Sequence, residues 1–345
     1  MGNKLFNYVI GNPPYNEDFE KSGENGNFAK PVYNLFMDAV DEVADKVELV
    51  HPARFLFNAG STPKDWNEKM LNNPHFKVIK FDEDSADVFP NTEIKGGISV
   101  TYYDHDKDFG AINVFSPYPQ MNDVMKKVNA ISVDSIMSII YIQNRFNLEE
   151  LYKYHPECKA GIGSDGKDSR FEKNIFVKVP IFSDEKIEDS IKTLGIYKGK
   201  RVWRYIESKY VDKNHENLCK YKVVLPVANG KGAFGETLSS PFVEQPNEAY
   251  TRSFIGIGAF DTEKEADNEL KYIKSKFCRA MLSILRITQM TNKDVWKYAP
   301  IQDFTTSSDI DWSQSIPEID KQLYKKYGLS DEEINFIETH VKPMD

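Results

Sequence analysis

Four short apolar runs mark out the first third of the chain, and their spacing constrains the fold more than any other feature. LFNYVI (5–10) runs into Gly11 and two prolines, and VELVHP (47–52) stops at Pro52. FKVIKFD (76–82) and ISVTYYD (98–104) complete the set. Between the first two, VYNLFMDAVDEVAD (32–45) carries Leu35, Ala39 and Val43 at helical spacing; DWNEKMLNN (65–73) fits a shorter helix. Strand alternating with helix predicts an α/β layer with parallel strands. Residues 5–10 are expected as a buried strand, and AINVF (111–115) as a fifth strand that could close a hairpin at the edge.

The pattern changes after Pro117. Residues 119–154 read as mostly helical, and 175–260 as short strands broken by Gly, Pro and Asn turns. Residues 262–287 predict one long amphipathic helix, with Leu270, Ile273, Phe277, Met281 and Leu285 on one face. Near the end, Ser330 and Glu333 have capping-box spacing for a last helix. The expected division is 1–116, a mixed α+β domain with a helical lead-in over 117–308, and a helical tail over 309–345.

At 40% apolar and 28% charged, the composition fits a soluble globular protein. No apolar run approaches the ~18–20 residues of a membrane span, and the N-terminus lacks the pattern of a signal peptide. Three scattered cysteines and no zinc spacing suggest a reducing, cytoplasmic setting without a metal. The net charge of −9 argues against binding nucleic acid by bulk charge. The acidity is uneven, however: residues 1–110 hold 11 Lys/Arg against 19 Asp/Glu. By contrast YKGKRVWRYIESKY (197–210) has five basic residues and one Glu. There Lys198, Lys200, Arg201, Trp203 and Arg204 suit contact with DNA phosphates or bases, although the stretch could be a solvated helix face.

The turn after the first run, Asn12-Pro13-Pro14-Tyr15, suggests a chemistry. Proline fixes φ, lacks an N–H and holds the preceding residue extended. The turn can therefore present the Asn12 amide oxygen and the Pro13 carbonyl as two adjacent acceptors, which match an –NH2 group. An exocyclic amine on a nucleobase is a poor nucleophile. Two acceptors on its hydrogens favour a pyramidal nitrogen and stabilise the positive charge that develops as it attacks. Tyr15 offers a flat face to a base flipped from the duplex. The alternative is an ordinary surface turn.

NPPY after an apolar strand resembles motif IV of the gamma-class, TaqI-like DNA adenine-N6 methyltransferases. YNLFMDAV (33–40), VELVHPARFL (47–56) and DVFPNTEIKGGISVTYYD (87–104) are similar to their motifs V, VI and VIII. GKRVWRYI (199–206), the strand end at 258–260 and YAPIQDF (298–304) are similar to the target-recognition domain of Eco57-type restriction–modification methylases. The resemblance implies an α/β fold: a partial Rossmann-like methyltransferase sheet, then a mixed α+β target-recognition domain. It implies S-adenosylmethionine as cofactor, bordered by Asn34 and Phe36, and double-stranded DNA as substrate. Asn12, Pro13, Pro14 and Tyr15 would form the catalytic turn, and Phe89 would pack on the flipped base. In that class the glycine-rich cofactor motif precedes NPPY, and only eleven residues stand before Asn12 here. A partner chain carrying the cofactor half, or self-association through an uncovered apolar edge, is therefore expected.

Other readings compete. FIGIG (254–258) matches Phe-x-Gly-x-Gly and could be the cofactor loop, or simply a recognition-domain strand with a glycine turn. Glu93-x-Lys95 could mimic a nuclease core. GIGSDGKDS (161–169) lacks the Walker ending and reads as a loop. The alternative to an enzyme is a non-catalytic DNA-binding protein derived from a methylase.

Overall fold

The computed structural model describes residues 4–17, 30–90, 92, 94, 96–162, 169–286 and 288–344. The chain forms two compact units, Met1–Asn122 and Asp123–Asp345.

In the first unit, β1 (Val9–Gly11), α1 (Tyr33–Val43) and β2 (Lys46–Pro52) make a strand–helix–strand element, with β1 and β2 parallel. After α2 (Lys64–Leu71) come β3 (Phe76–Asp82) and β4 (Ile98–Asp104), and the sheet order is β1-β2-β4-β3. Strand β4 runs antiparallel to both its neighbours. The runs at 47–52, 76–82 and 98–104 thus become strands where their apolar patterns place them.

Alternation along β2 buries Val47, Leu49 and His51 on one face. Beneath it Tyr33 of α1 stacks on the His51 ring at 5.7 Å, and Phe55 packs between Trp66 and Phe76. Burial pushes the His51 pKa down to about 4, and its Nε2 lies 2.7 Å from Thr101 Oγ1. His51 is therefore a neutral core residue.

Two expectations fail here. The first strand is short and not buried: Leu5 and Ile10 are 75% and 74% exposed. It pairs only with β2, and no described strand lies on its outer edge, so the apolar run has nothing to bury against. Residues 111–115 form no strand, because Asn113 takes a left-handed φ of 56° just after Gly110 at 77° and turns the chain.

Helix α3 (Pro119–Ile131) runs across the division at Asn122, and in the second unit β5 (Ile140–Tyr141) and three short helices follow it. These are α4 (Leu148–Tyr154), α5 (Lys159–Ile162) and α6 (Ile175–Lys178). Then come β6 (Ser190–Tyr197), β7 (Lys200–Glu207), β8 (Tyr221–Pro226), β9 (Phe242–Glu244), β10 (Glu248–Tyr250) and β11 (Phe254–Phe260). They form two sheets, β10-β6-β7 and β5-β11-β8-β9. One face of the smaller sheet packs through Ile191 and Ile206 on an aromatic core of Phe146, Phe171, Phe176 and Phe182. The other face meets the larger sheet through Leu194, Val224, Tyr250 and Phe254.

The predicted long helix is two, α7 (Glu263–Lys274) and α8 (Lys276–Ser283). Ser275, at ψ 150°, ends the first, and its hydroxyl accepts from Cys278 N to start the second. Helices α9 (Ile316–Lys326) and α10 (Asp331–His340) pack on α8. Phe277 stacks on Tyr327 at 5.0 Å, and the Asp320 carboxylate accepts from the Lys276 and Phe277 amides. The Ser330–Glu333 capping box forms.

Glu269 is fully buried in α7, and neither carboxylate oxygen has a hydrogen-bond partner. Burial therefore holds its pKa well above the ordinary value, so the folded chain keeps a proton that the unfolded chain releases near pH ~4.3. Stability is full below that pH and falls as pH rises. Glu269→Gln is expected to stabilise the protein by about 1–3 kcal/mol at pH 8 and to change it little at pH 4. Urea melts at the two pH values check this, and equal effects at both would disprove it.

Candidate functional site

The registers bring the ends of several strands to one side of the first sheet. Pro52, at the end of β2, and Asp82, at the end of β3, both pair with Ile98, the start of β4. Parallel to β2, β1 ends at Gly11 opposite Leu49. The Asn12–Tyr15 turn, the Ala53–Phe57 turn and the 83–97 connection therefore leave the sheet at the same end. In open α/β sheets ligands bind outside the carboxyl ends of the parallel strands.

Asn12 and Pro14 are exposed, and Pro13 and Tyr15 half-buried. The turn is tied to the start of α1: Val32 N donates to Tyr15 O at 3.0 Å, and Glu17 N to Lys30 O at 3.0 Å. This brings the NPPY turn to within two residues of Asn34 along the chain. Asn34 is 5% exposed, and its Oδ1 has no hydrogen-bond partner; neither has the Tyr15 hydroxyl, whose pKa burial raises. A buried orphan of this kind costs about 1–3 kcal/mol, which a ligand offering a donor would relieve. Phe36, 44% exposed, and Leu35, 60% exposed, lie beside it in sequence.

Phe89 is half-buried in a turn that leaves the opposite edge of the sheet, three strand spacings or about 14 Å from β1. Sequence reasoning missed what holds this turn. The Ser85 hydroxyl donates to Thr92 O at 2.6 Å and accepts from Ile94 N at 2.8 Å, while Phe89 N donates to Ser85 O. The local signal was Asp84, whose side chain accepts from Ala86 N and starts the turn. The turn closes on Gly97, at φ 78°, where a Cβ would lie 2.4 Å from Asp82 O. Only glycine fits there.

In the second unit, β6 and β7 pair along their full length around a two-residue turn, Lys198-Gly199. Both turn residues have positive φ, 50° and 74°, which is the type I′ geometry. The segment is thus a strand, not a helix face, and alternation divides the basic residues. Lys200 and Arg204 lie on one face, Arg201 and Trp203 on the other. Arg204 does not suit a DNA contact: its Nε lies 2.8 Å from Asp184 Oδ1, its Nη1 donates to Phe176 O, and its guanidinium sits 4.6 Å over the Tyr197 ring. Lys198, Lys200 and Arg201 are exposed. Among the described residues none of the three has a carboxylate within ion-pair distance.

The FIGIG segment is not a cofactor loop. It opens β11, with Phe254 and Ile257 buried, and it pairs with β8 and β5. Glu93, Lys95 and residues 163–168 lie outside the described residues. Among the described residues there is no cluster set to hold a metal, and no helix is long and apolar enough to cross a membrane.

Comparison with known proteins bears on the first unit. Residues 1–89 match the Eco57I restriction-modification methylase family. A Mycoplasma pneumoniae protein described as an uncharacterized adenine-specific methylase is 36% identical over 99 residues, 28% of this chain. The matched stretch is 23% of that protein's length. The crystal structure of the type IIG restriction endonuclease BpuSI aligns over 92% of this chain and 48% of its own, at 10% identity and a TM-score of 0.32.

Proposed function

We propose that this chain carries the catalytic turn and the DNA-recognition part of an adenine-N6 DNA methyltransferase. The observation that carries the reading is the NPPY turn at the carboxyl end of β1, tied to a helix start whose buried Asn34 oxygen lacks a donor. The methylase match over residues 1–89 supports it.

In this reading the Asn12 side-chain oxygen and the Pro13 carbonyl accept the two hydrogens of a flipped adenine's N6. That draws the nitrogen toward a pyramidal form and stabilises the positive charge it gains on attack; one N6 proton then leaves. Tyr15 replaces the stacking that the base lost, and Phe89 would join it only where the 83–97 connection folds back across the strand ends toward β1. S-adenosylmethionine, when bound, supplies the electrophilic methyl group. Asn34 and Phe36 would hold it, with Asn34 Oδ1 taking one of its donors. The edge of β1, where Leu5, Phe6, Tyr8 and Ile10 stand exposed, is where a partner chain or a second copy would dock and add cofactor contacts. Double-stranded DNA is gripped by the β6–β7 hairpin.

Two measurements test this. Lys198→Ala and Lys200→Ala should each weaken binding to every duplex and flatten the salt dependence of log affinity by about one unit. Unchanged slopes in both would place the DNA elsewhere. Calorimetry should find weak S-adenosylmethionine binding to the isolated chain. A tight one-to-one complex formed by a monomer would remove the need for a partner. DNA binding with no methyl transfer in any assembly would leave a DNA-binding protein without catalysis.

A further inference from the structure

The cations of the β6–β7 hairpin stand in three chemical situations. Arg204 is neutralised by Asp184. Lys198 and Lys200 project from the tip, exposed and without a carboxylate among the described residues. Arg201 is exposed and equally uncompensated, yet it is held in place. Its Nη1 donates to Ser240 O at 3.2 Å and its Nη2 to Ser239 O at 2.7 Å. Its guanidinium also lies 5.7 Å from the centre of the Phe254 ring.

Main-chain carbonyls orient a guanidinium without cancelling its charge. Of the five N–H donors, two are used and three remain in a fixed plane. Arg201 stands at an open depression of about 420 Å³, walled on its apolar side by Leu194, Trp203 and Phe242. At the same depression Lys192 is already satisfied: it pairs with Glu248 at 2.9 Å and sits 4.0 Å over the Trp203 ring. Arg201 is thus the lining cation left with both charge and donors to spare.

We infer that Arg201 is the base-reading residue of this chain: it donates a bidentate pair to O6 and N7 of a guanine in the major groove of duplex DNA. The inference rests on the DNA-binding reading above. Pairing with β10 ends at Leu194, so the tip of the hairpin, where Ile196 pairs with Arg201, is two-stranded; a two-stranded β-ribbon fits the major groove, and a rigid planar fork matches the two guanine acceptors there. The two-residue turn keeps the ribbon narrow at its tip. Lys198 and Lys200, as flexible point charges, suit the flanking phosphates and carry no sequence information.

The test incubates the full chain with a randomised double-stranded DNA pool and sequences what is retained. The wild type should enrich a motif with guanine at one defined position. Arg201→Lys keeps the charge but loses the fork. It should lower the preference at that single position by roughly 10- to 100-fold and leave the other positions and the nonspecific affinity near wild type. Lys200→Ala should weaken retention of all sequences and leave the motif unchanged. Matched melting curves confirm that each variant is folded. An unchanged motif in Arg201→Lys overturns the inference. So does an Arg201→Ala protein that loses affinity evenly with its motif intact, since that marks a phosphate contact, and so does a wild type that binds duplex but enriches no motif. A chain that binds no duplex fails the DNA-binding reading itself, and this assignment with it.

Discussion

Asn12→Ala is expected to lower the rate of methyl transfer roughly 10²-fold or more while DNA affinity changes little. In the proposed role the amide oxygen accepts from the amine as charge develops in the transition state, so its loss would fall on the chemical step and not on binding. Asn12 is exposed and follows the last residue of β1, so truncating it removes no core packing. Single-turnover methylation of duplex DNA by the assembled enzyme, beside a DNA titration of the same variant, separates the two effects. A variant that methylates at the normal rate would remove the NPPY turn from the chemistry. One that loses DNA affinity in parallel would make Asn12 a binding residue.

Arg279→Ala is expected to destabilise the second unit by about 3–5 kcal/mol. Arg279 is 1% exposed, and its guanidinium is spent on main-chain oxygens. Nε donates to Lys274 O, Nη1 to Gly235 O and Glu236 O, and Nη2 to Lys342 O at 2.6 Å. One side chain thus ties the end of α7, the loop before β9 and the residues after α10 to α8. Truncation leaves a cavity and several buried carbonyls without donors. Urea unfolding measures the loss, and limited proteolysis should show the C-terminal helices cut first. A loss below about 1 kcal/mol would mean that water replaces the guanidinium.

How much was legible depends on what each signal encodes. Strands 76–82 and 98–104 were readable because apolar runs and flanking turn residues coincide there. The last helix was readable because a capping box is local chemistry. The break at Ser275 was hidden because apolar spacing continues across it, and a lone serine within a helical pattern gives no sign that it serves as an N-cap. The basic stretch at 197–210 was found, but its charges were pooled; only the strand's alternation separates Arg201 from Arg204. Composition also places charges at the surface, so it could not reveal Lys222 and Glu244, fully buried 3.4 Å apart on paired strands, or Glu269. In the first unit the sequence located the NPPY turn but not Ser85, because a serine that staples a loop looks like any other loop serine.

The β6–β7 ladder also has a consequence for how the chain assembles. Its partners, from Tyr197–Lys200 at the turn to Ser190–Glu207 at the base, are near neighbours in sequence, and Gly199 readily takes the positive φ that the turn needs, while Lys198 is held in it at some cost. Closing it costs little chain entropy, and such hairpins form in microseconds. Strand β4 is the opposite case: it must find β2 across a long stretch of chain and slot between β2 and β3. Topology of that kind slows folding. The ribbon is therefore set to be complete early, while the first sheet still waits for its central strand.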